Sequence, residues 1–138
     1  MELQNVKVVK FGGTSLADAK QLLKAKAIIE ADPSRRYVVP SAPGKRFSND
    51  IKVTDMLYEC YRLASEGEDF SREFSRIKDR YDTIIAELGI DLDLSADYEK
   101  IEGAFMYHAG SDYAASRGEY TVRSWQSFSV MIFLTRQR

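Results

Sequence analysis

Val8-Val9-Lys10-Phe11-Gly12-Gly13-Thr14-Ser15 is the stretch that decides the fold of this chain. The valine-rich run from residue 6 to residue 11 predicts a buried strand, and the two glycines end it. Glycine lets backbone N–H groups approach an anion with no Cβ in the way. The next helix, capped by Thr14 or Ser15, would favour an anion at its amino end. The spacing predicts a phosphate site with Lys10 as its cation, but a βα turn with a solvated lysine fits equally well.

This stretch matches neither of two common nucleotide-binding motifs, G-x-x-x-x-G-K-[ST] and G-x-G-x-x-G. The choice between a phosphate site and a simple βα turn therefore depends on the rest of the chain. Residues 16–31 predict an amphipathic helix, and residues 37–39 predict a second strand that ends at Pro40-Ser41-Ala42-Pro43-Gly44. A strand, helix, strand order predicts parallel strands joined by a right-handed crossover. Both glycine-containing loops should then lie at the same edge of the sheet, where open α/β sheets bind ligands.

Three further helices are predicted beyond a polar segment, residues 45–50, which we expect to be a mobile loop. The first covers residues 51–65 and carries Ile51 and Cys60 on its apolar face. The second covers residues 70–88 and ends in a left-handed cap at Gly89. The third begins with Ser95 as its cap and extends to His108.

Composition places the chain among ordinary globular proteins, with 138 residues, 44% hydrophobic and 30% charged. A net charge of −1 predicts no nucleic-acid partner and no membrane partner. Neither a signal peptide nor an apolar run of about 20 residues is visible. The single cysteine, Cys60, excludes an internal disulfide and favours the cytoplasm. His108 and Cys60 lack metal-ligand spacing, so no metal site is predicted.

The hexapeptide of residues 10–15 resembles the signature that opens aspartate kinases, a branch of the amino-acid kinase family. Residues 38–44 are similar to that family's second glycine loop, with Pro40 as a departure. Residues 53–57 are similar to its Thr-(Asp/Asn)-x-Leu helix start. Residues 112–120 resemble its Ser-x-Gly-Glu segment. Each later match also has a structural explanation: a Pro/Gly turn, a helix cap at Thr54, and an exposed glutamate in a first helical turn.

The resemblance implies the amino-terminal part of a three-layer αβα amino-acid kinase fold, an α/β fold with a mainly parallel sheet and a helical insertion. It implies ATP-dependent phosphorylation of the β-carboxylate of L-aspartate, the first step toward lysine, threonine and methionine. ATP with Mg²⁺ would be the co-substrate, and the parent family is commonly homo-oligomeric. Lys10 would be the catalytic cation. The phosphate contacts would be Lys10, Phe11, Gly12, Gly13 and Gly44, and the substrate contacts would be Ser15, Ser41, Thr54 and Glu119.

The carboxyl end departs from the family. Permitted codons for residues 124–137, displaced by one nucleotide, can encode LAIFFGYDFLDAA, which resembles the missing family segment. We therefore expect residues 1–120 to be the amino-terminal portion of a catalytic domain and residues 121–138 to be a frameshift product. Without later strands the sheet would keep an open edge and an exposed apolar face. Two alternatives to a working aspartate kinase remain: an inactive fragment, and another amino-acid kinase, for instance one acting on glutamate.

Overall fold

The computed structural model describes residues 5–107 together with Ala114 and Arg117. In this part of the chain two strands and four α-helices follow one another, and a short 3₁₀ turn, Gly13–Leu16, lies between the first strand and the first helix. The elements are β1 (Lys7–Lys10), α1 (Ala19–Glu30), β2 (Arg35–Val39), α2 (Val53–Ser65), α3 (Ser71–Leu88) and α4 (Ser95–Met106). The predicted α/β class is confirmed. None of the helices in this part of the chain is long and apolar enough to cross a bilayer.

The two strands pair in parallel, as the βαβ pattern predicted, with Val9 opposite Val38 and Lys10 opposite Val39. Because side chains alternate along a strand, Val9 and Val38 face the helical core while their neighbours face away from it. Val8 and Tyr37 lie on that outer face and are 67% and 63% exposed. The prediction of a buried strand is therefore wrong for one face, whereas the predicted open apolar face is confirmed.

Helix α1 begins later than predicted because Asp18, not Thr14 or Ser15, is its cap. The Asp18 backbone is extended, and its carboxylate accepts a hydrogen bond from the Gln21 N–H at 2.9 Å. Thr14 and Ser15 lie in the preceding 3₁₀ turn, whose cap position is Gly12. The hydroxyl groups of Thr14 and Ser15 therefore do not cap α1 and can contact a ligand.

The core lies between the inner face of the strands and the helices. Helix α3 buries the apolar stripe that its spacing predicted, which includes Phe74, Ile77 and Ile84. Edge-to-face ring contacts link α3 to α4, as between Phe74 and Tyr98, whose ring centroids lie 6.4 Å apart. Cys60 of α2 is fully buried as predicted, and this burial raises the pKa of its thiol to about 12.

The helix end predicted at Gly89 agrees with the structure, whereas the starts predicted at Ser95 and Ile51 differ from it. Gly89 ends α3 in the left-handed conformation with φ of 65°, as predicted. Ser95 is the first residue of α4 and not its cap; its N–H and its hydroxyl both donate to the Asp93 carboxylate. Ile51 precedes α2 and is exposed, because α2 begins only at Val53.

Candidate functional site

Two glycine loops meet at the carboxyl edge of the sheet. The first glycine loop, residues 11–13, follows β1, and the second glycine loop, residues 40–44, follows β2. The Gly44 N–H donates a hydrogen bond to the Gly13 carbonyl oxygen at 2.8 Å. The Val53 N–H donates to the Pro43 carbonyl oxygen at 3.0 Å, which brings the start of α2 to the same place. The expectation that both loops lie at one edge of the sheet is confirmed.

Only glycine fits at position 44. A Cβ there would lie 2.5 Å from the Gly13 carbonyl carbon and 2.7 Å from the Thr14 nitrogen, both of them backbone atoms. At Gly13 a Cβ would lie 3.2 Å from the Ala42 carbonyl oxygen, whereas nothing stands within 4 Å of the Cβ position at Gly12. The glycines therefore let two backbones touch, and Gly12 faces open space beside the contact.

The backbone donors at this edge differ from those expected in two respects. The Gly44 N–H was expected to bind phosphate but is used by the Gly13 carbonyl. The Phe11 N–H donates to the Val39 carbonyl oxygen at 3.0 Å, and the Phe11 ring is buried in the core. Within residues 5–107 the amides of Gly12 and Gly13 donate to no protein group. These two amides are thus available as donors to an anion.

Lys10 is the last residue of β1, and its side chain is exposed. It lies on the same outer face of the sheet as Val8, because alternate residues share a face. In the part of the chain that the structure describes, no carboxylate lies within ion-pair distance of its ammonium group. Lys10 therefore presents an uncommitted positive charge at the strand end from which the first glycine loop leaves.

The predicted substrate residues lie around the loops. Ser15 is half-buried in the 3₁₀ turn, and its N–H donates to the Gly12 carbonyl oxygen at 3.1 Å. Ser41 is half-buried in the second glycine loop. Thr54 lies in the first turn of α2 but is not its cap, because Lys52 takes that position; the capping alternative is wrong. Glu119, like His108, lies outside the described residues.

Arg80 is the part of this region that sequence reasoning missed. It lies in the middle of α3 and is only 5% exposed. Its guanidinium donates to three carbonyl oxygens from separate segments: Ile51 at 3.1 Å, Ala17 at 2.8 Å, and Gly44. Burial is the main cause that lowers the pKa of Arg80 below the usual arginine value. An arginine within the apolar stripe of α3 was the signal in the sequence that could have revealed it.

The polar segment of residues 45–50 lies outside the helices and strands, and hydrogen bonds and ion pairs connect it to its surroundings, while its mobility stays a prediction. Arg46 donates three hydrogen bonds to the buried Asp50 carboxylate, two from its guanidinium at 2.6 and 2.9 Å and one from its N–H at 2.9 Å. The side-chain hydrogen bond from Arg46 holds the pKa of Asp50 well below its usual range. Arg80 lies 3.6 Å from the same carboxylate, so Asp50 joins this loop to α3.

Comparison with known proteins finds similarity to aspartate kinases. No family model matches the chain. It is 56% identical over 55 residues to aspartokinase 3 of Bacillus subtilis, covering 40% of this chain and 12% of that protein. It is 33% identical over 95 residues to the aspartokinase of Chlamydia trachomatis, covering 69% of this chain and 20% of that protein. The crystal structure of Clostridium acetobutylicum aspartate kinase matches 96% of the chain with a TM-score of 0.84 and 42% identity. The chain is therefore similar to aspartate kinases both in sequence and in fold.

Another aspartate kinase shares the fold at greater distance. The crystal structure of E. coli aspartokinase III, in complex with aspartate and ADP, matches 96% of the chain with a TM-score of 0.70 and 23% identity. The present chain covers 29% of each of the two solved aspartate kinase chains. It therefore spans less than a third of the relatives it matches.

Proposed function

We propose that the carboxyl edge of the sheet is the phosphoryl-binding half of an aspartate kinase active site. The reaction would transfer the γ-phosphoryl group of ATP to the β-carboxylate of L-aspartate. The observation that carries the proposal is the backbone contact between Gly13 and Gly44, which sets both glycine loops beside Lys10. The aspartate and ADP bound to E. coli aspartokinase III support the choice of ligands.

The residues at this edge suit phosphoryl transfer by positioning and charge stabilisation. Lys10 would neutralise charge on the phosphoryl oxygens, and the amides of Gly12 and Gly13 would donate hydrogen bonds to them. No general base is required, because the aspartate carboxylate is already ionised and nucleophilic. Among the described residues no group of three carboxylate, histidine or cysteine side chains could hold a metal. Mg²⁺ would arrive on the phosphates of ATP, which is its usual mode of binding.

Aspartate would be oriented by hydroxyl groups around the loops. Ser15, Ser41 and Thr54 come from the 3₁₀ turn, the second glycine loop and the first turn of α2, all of which border the same edge. Glu119 would pair with the substrate's ammonium group, a charge-assisted interaction that fixes both position and charge. The family resemblance of residues 10–15 favours aspartate over glutamate as the acceptor.

We propose further that residues 1–138 on their own bind phosphate at this edge without appreciable turnover. The chain spans 29% of the Clostridium acetobutylicum enzyme, and the resemblance assigns most adenine and ribose contacts to later parts of family members. The division into a catalytic portion, residues 1–120, and a frameshifted tail, residues 121–138, stays a proposal. Sequencing the gene tests it, since a shifted frame without kinase-like continuation would contradict it. A cytoplasmic location and a homo-oligomeric parent enzyme are proposed from the family alone.

A coupled ADP-release assay with the purified 138-residue chain tests these proposals. We expect no aspartate-dependent release above the Lys10→Ala background. Aspartate-dependent release that disappears in Lys10→Ala would show that the chain is a working enzyme and would overturn the inactive-fragment proposal. Release with glutamate in place of aspartate would overturn the choice of substrate. A working enzyme whose activity survives Lys10→Ala would contradict the catalytic role of Lys10.

A further inference from the structure

We infer that Arg80 is a positioning residue that sets the spacing between the two glycine loops. The inference rests on the proposed function for its consequence on ligand binding, but its structural part can be tested without any ligand. Arg80 is assigned no contact with the ligand. It acts through the carbonyl group of Gly44, the residue whose N–H binds Gly13.

Three segments that border the site converge on this one side chain. The Ala17 carbonyl ends the 3₁₀ turn that follows the first glycine loop, the Gly44 carbonyl ends the second glycine loop, and the Ile51 carbonyl precedes α2. These acceptors lie 63, 36 and 29 residues from Arg80 in sequence. The planar guanidinium presents donors in several fixed directions, so one side chain can fix all three segments at once.

Burial makes these hydrogen bonds strong and leaves water unable to replace them. Asp50 lies 3.6 Å from the guanidinium and balances its charge, and Arg46 holds Asp50 in place. The Nε of Arg80 has no hydrogen-bond partner in the described part of the chain, so the terminal nitrogens alone hold the side chain. The contacts of Arg80 thus go to loop backbone beside the site and not to its own helix.

Arg80 is a polar residue within an apolar stripe, where an apolar side chain would serve core packing. Ile77 and Ile84, one turn away on either side, fill the same buried stripe of α3 with apolar side chains. An apolar residue at position 80 would pack there but would leave two buried carbonyl oxygens, of Ala17 and Gly44, and the partly buried one of Ile51 without their donor. We therefore expect the loss of Arg80 to disturb the glycine loops more than it disturbs the remainder of α3.

The experiment compares Arg80→Lys and Arg80→Met with two matched controls on the same helix. Arg76→Met removes an exposed arginine that pairs with Glu73, and Ile77→Ala removes buried side-chain volume from the core. Amide hydrogen exchange at Gly44 reports the loop contact, and the dissociation constant for Mg-ATP reports ligand binding. All variants are measured at the same interval below their own melting temperatures.

Both Arg80 variants should exchange the Gly44 amide about tenfold faster or more than the wild-type chain and bind Mg-ATP about tenfold more weakly. Arg76→Met should leave both quantities unchanged. Ile77→Ala should lower the melting temperature and leave both quantities unchanged at the matched interval. If Arg80→Met does not fold, Arg80→Lys decides, because it keeps the charge but cannot reproduce the forked contacts.

Two results would overturn the inference. One is wild-type exchange at Gly44 in Arg80→Lys, and the other is an equal effect of Ile77→Ala, which would make the role of Arg80 merely structural. If the wild-type chain binds no Mg-ATP, the proposed function fails. The Gly44 exchange of the same variants then still decides whether Arg80 sets the loop spacing.

Discussion

Replacement of Gly44 by alanine is the perturbation for which the structure makes the most definite prediction. The added Cβ would lie 2.5 Å from the Gly13 carbonyl carbon, 2.7 Å from the Thr14 nitrogen and 2.8 Å from the Gly13 oxygen. All three are backbone atoms, so no flexible side chain can move aside. The two glycine loops must separate, and the 2.8 Å hydrogen bond between Gly44 and Gly13 must lengthen or break.

The expected cost follows from two contributions. Forcing a methyl group into a close-packed contact costs about 1–3 kcal/mol. Losing a buried hydrogen bond adds about 1 kcal/mol, which gives about 2–4 kcal/mol in total. With a denaturant dependence of about 2 kcal/mol per molar of urea, the unfolding midpoint should fall by about 1–2 M.

Urea unfolding followed by circular dichroism measures this change. Gly103→Ala is the matched control, because nothing lies within 4 Å of its Cβ position and it sits inside α4. There the better helix propensity of alanine should raise stability by up to about 1 kcal/mol. If Gly44→Ala unfolds within about 0.3 M urea of the wild-type chain, the close contact between the loops is not real in solution and the reasoning is refuted.

Three further predictions concern other parts of the structure. Hydrogen bonds from Arg46 lower the folded-state pKa of Asp50, so the stabilisation that the ionised Asp50 gives to the fold is present above the unfolded pKa of about 3.9 and is lost as pH falls through the folded pKa. Asp50→Asn should lower the free energy of unfolding by about 3 kcal/mol at pH 7 and flatten its acid dependence in urea titrations. An unchanged pH profile in the variant would contradict this prediction. The buried Cys60 thiol, with its raised pKa, should react with a disulfide reagent at pH 8 about a thousandfold more slowly in the native chain than in urea, and equal rates would show that the thiol is accessible. We predict that copies of the chain associate through the outer face of the sheet, where Val8 and Tyr37 are exposed. Val8→Lys should weaken this association about tenfold in sedimentation velocity, whereas Tyr58→Lys on exposed helix surface should leave it unchanged.

Sequence reasoning was most successful where local chemistry decides the outcome. Glycine at position 89 predicted its left-handed cap, and the three- and four-residue spacing of apolar residues predicted α3. Strand, helix, strand order predicted parallel strands because the handedness and packing of such units leave few alternatives. The resemblance of residues 10–15 to aspartate kinases is also confirmed, since the chain is 42% and 56% identical to proteins of that name over the matched regions.

The remaining features depend on contacts distant in sequence. The Asp18 cap displaced Thr14 and Ser15 because a 3₁₀ turn changes the direction of the chain first, and no local preference distinguishes the three. The engagement of the Gly44 amide follows only when both loops are placed together. Arg80 was overlooked because its partners lie 29 to 63 residues away, beyond any periodic pattern.

The central claim is that the first glycine loop and Lys10 form a phosphate site. The most direct test is a titration of the full 138-residue chain with Mg-ATP, followed by two-dimensional ¹H–¹⁵N NMR. The account predicts saturable shifts of the Gly12 and Gly13 amides that disappear in Lys10→Ala, with the Gly103 amide of α4 unchanged. Shifts that are absent, that occur away from these amides, or that persist in Lys10→Ala would contradict it.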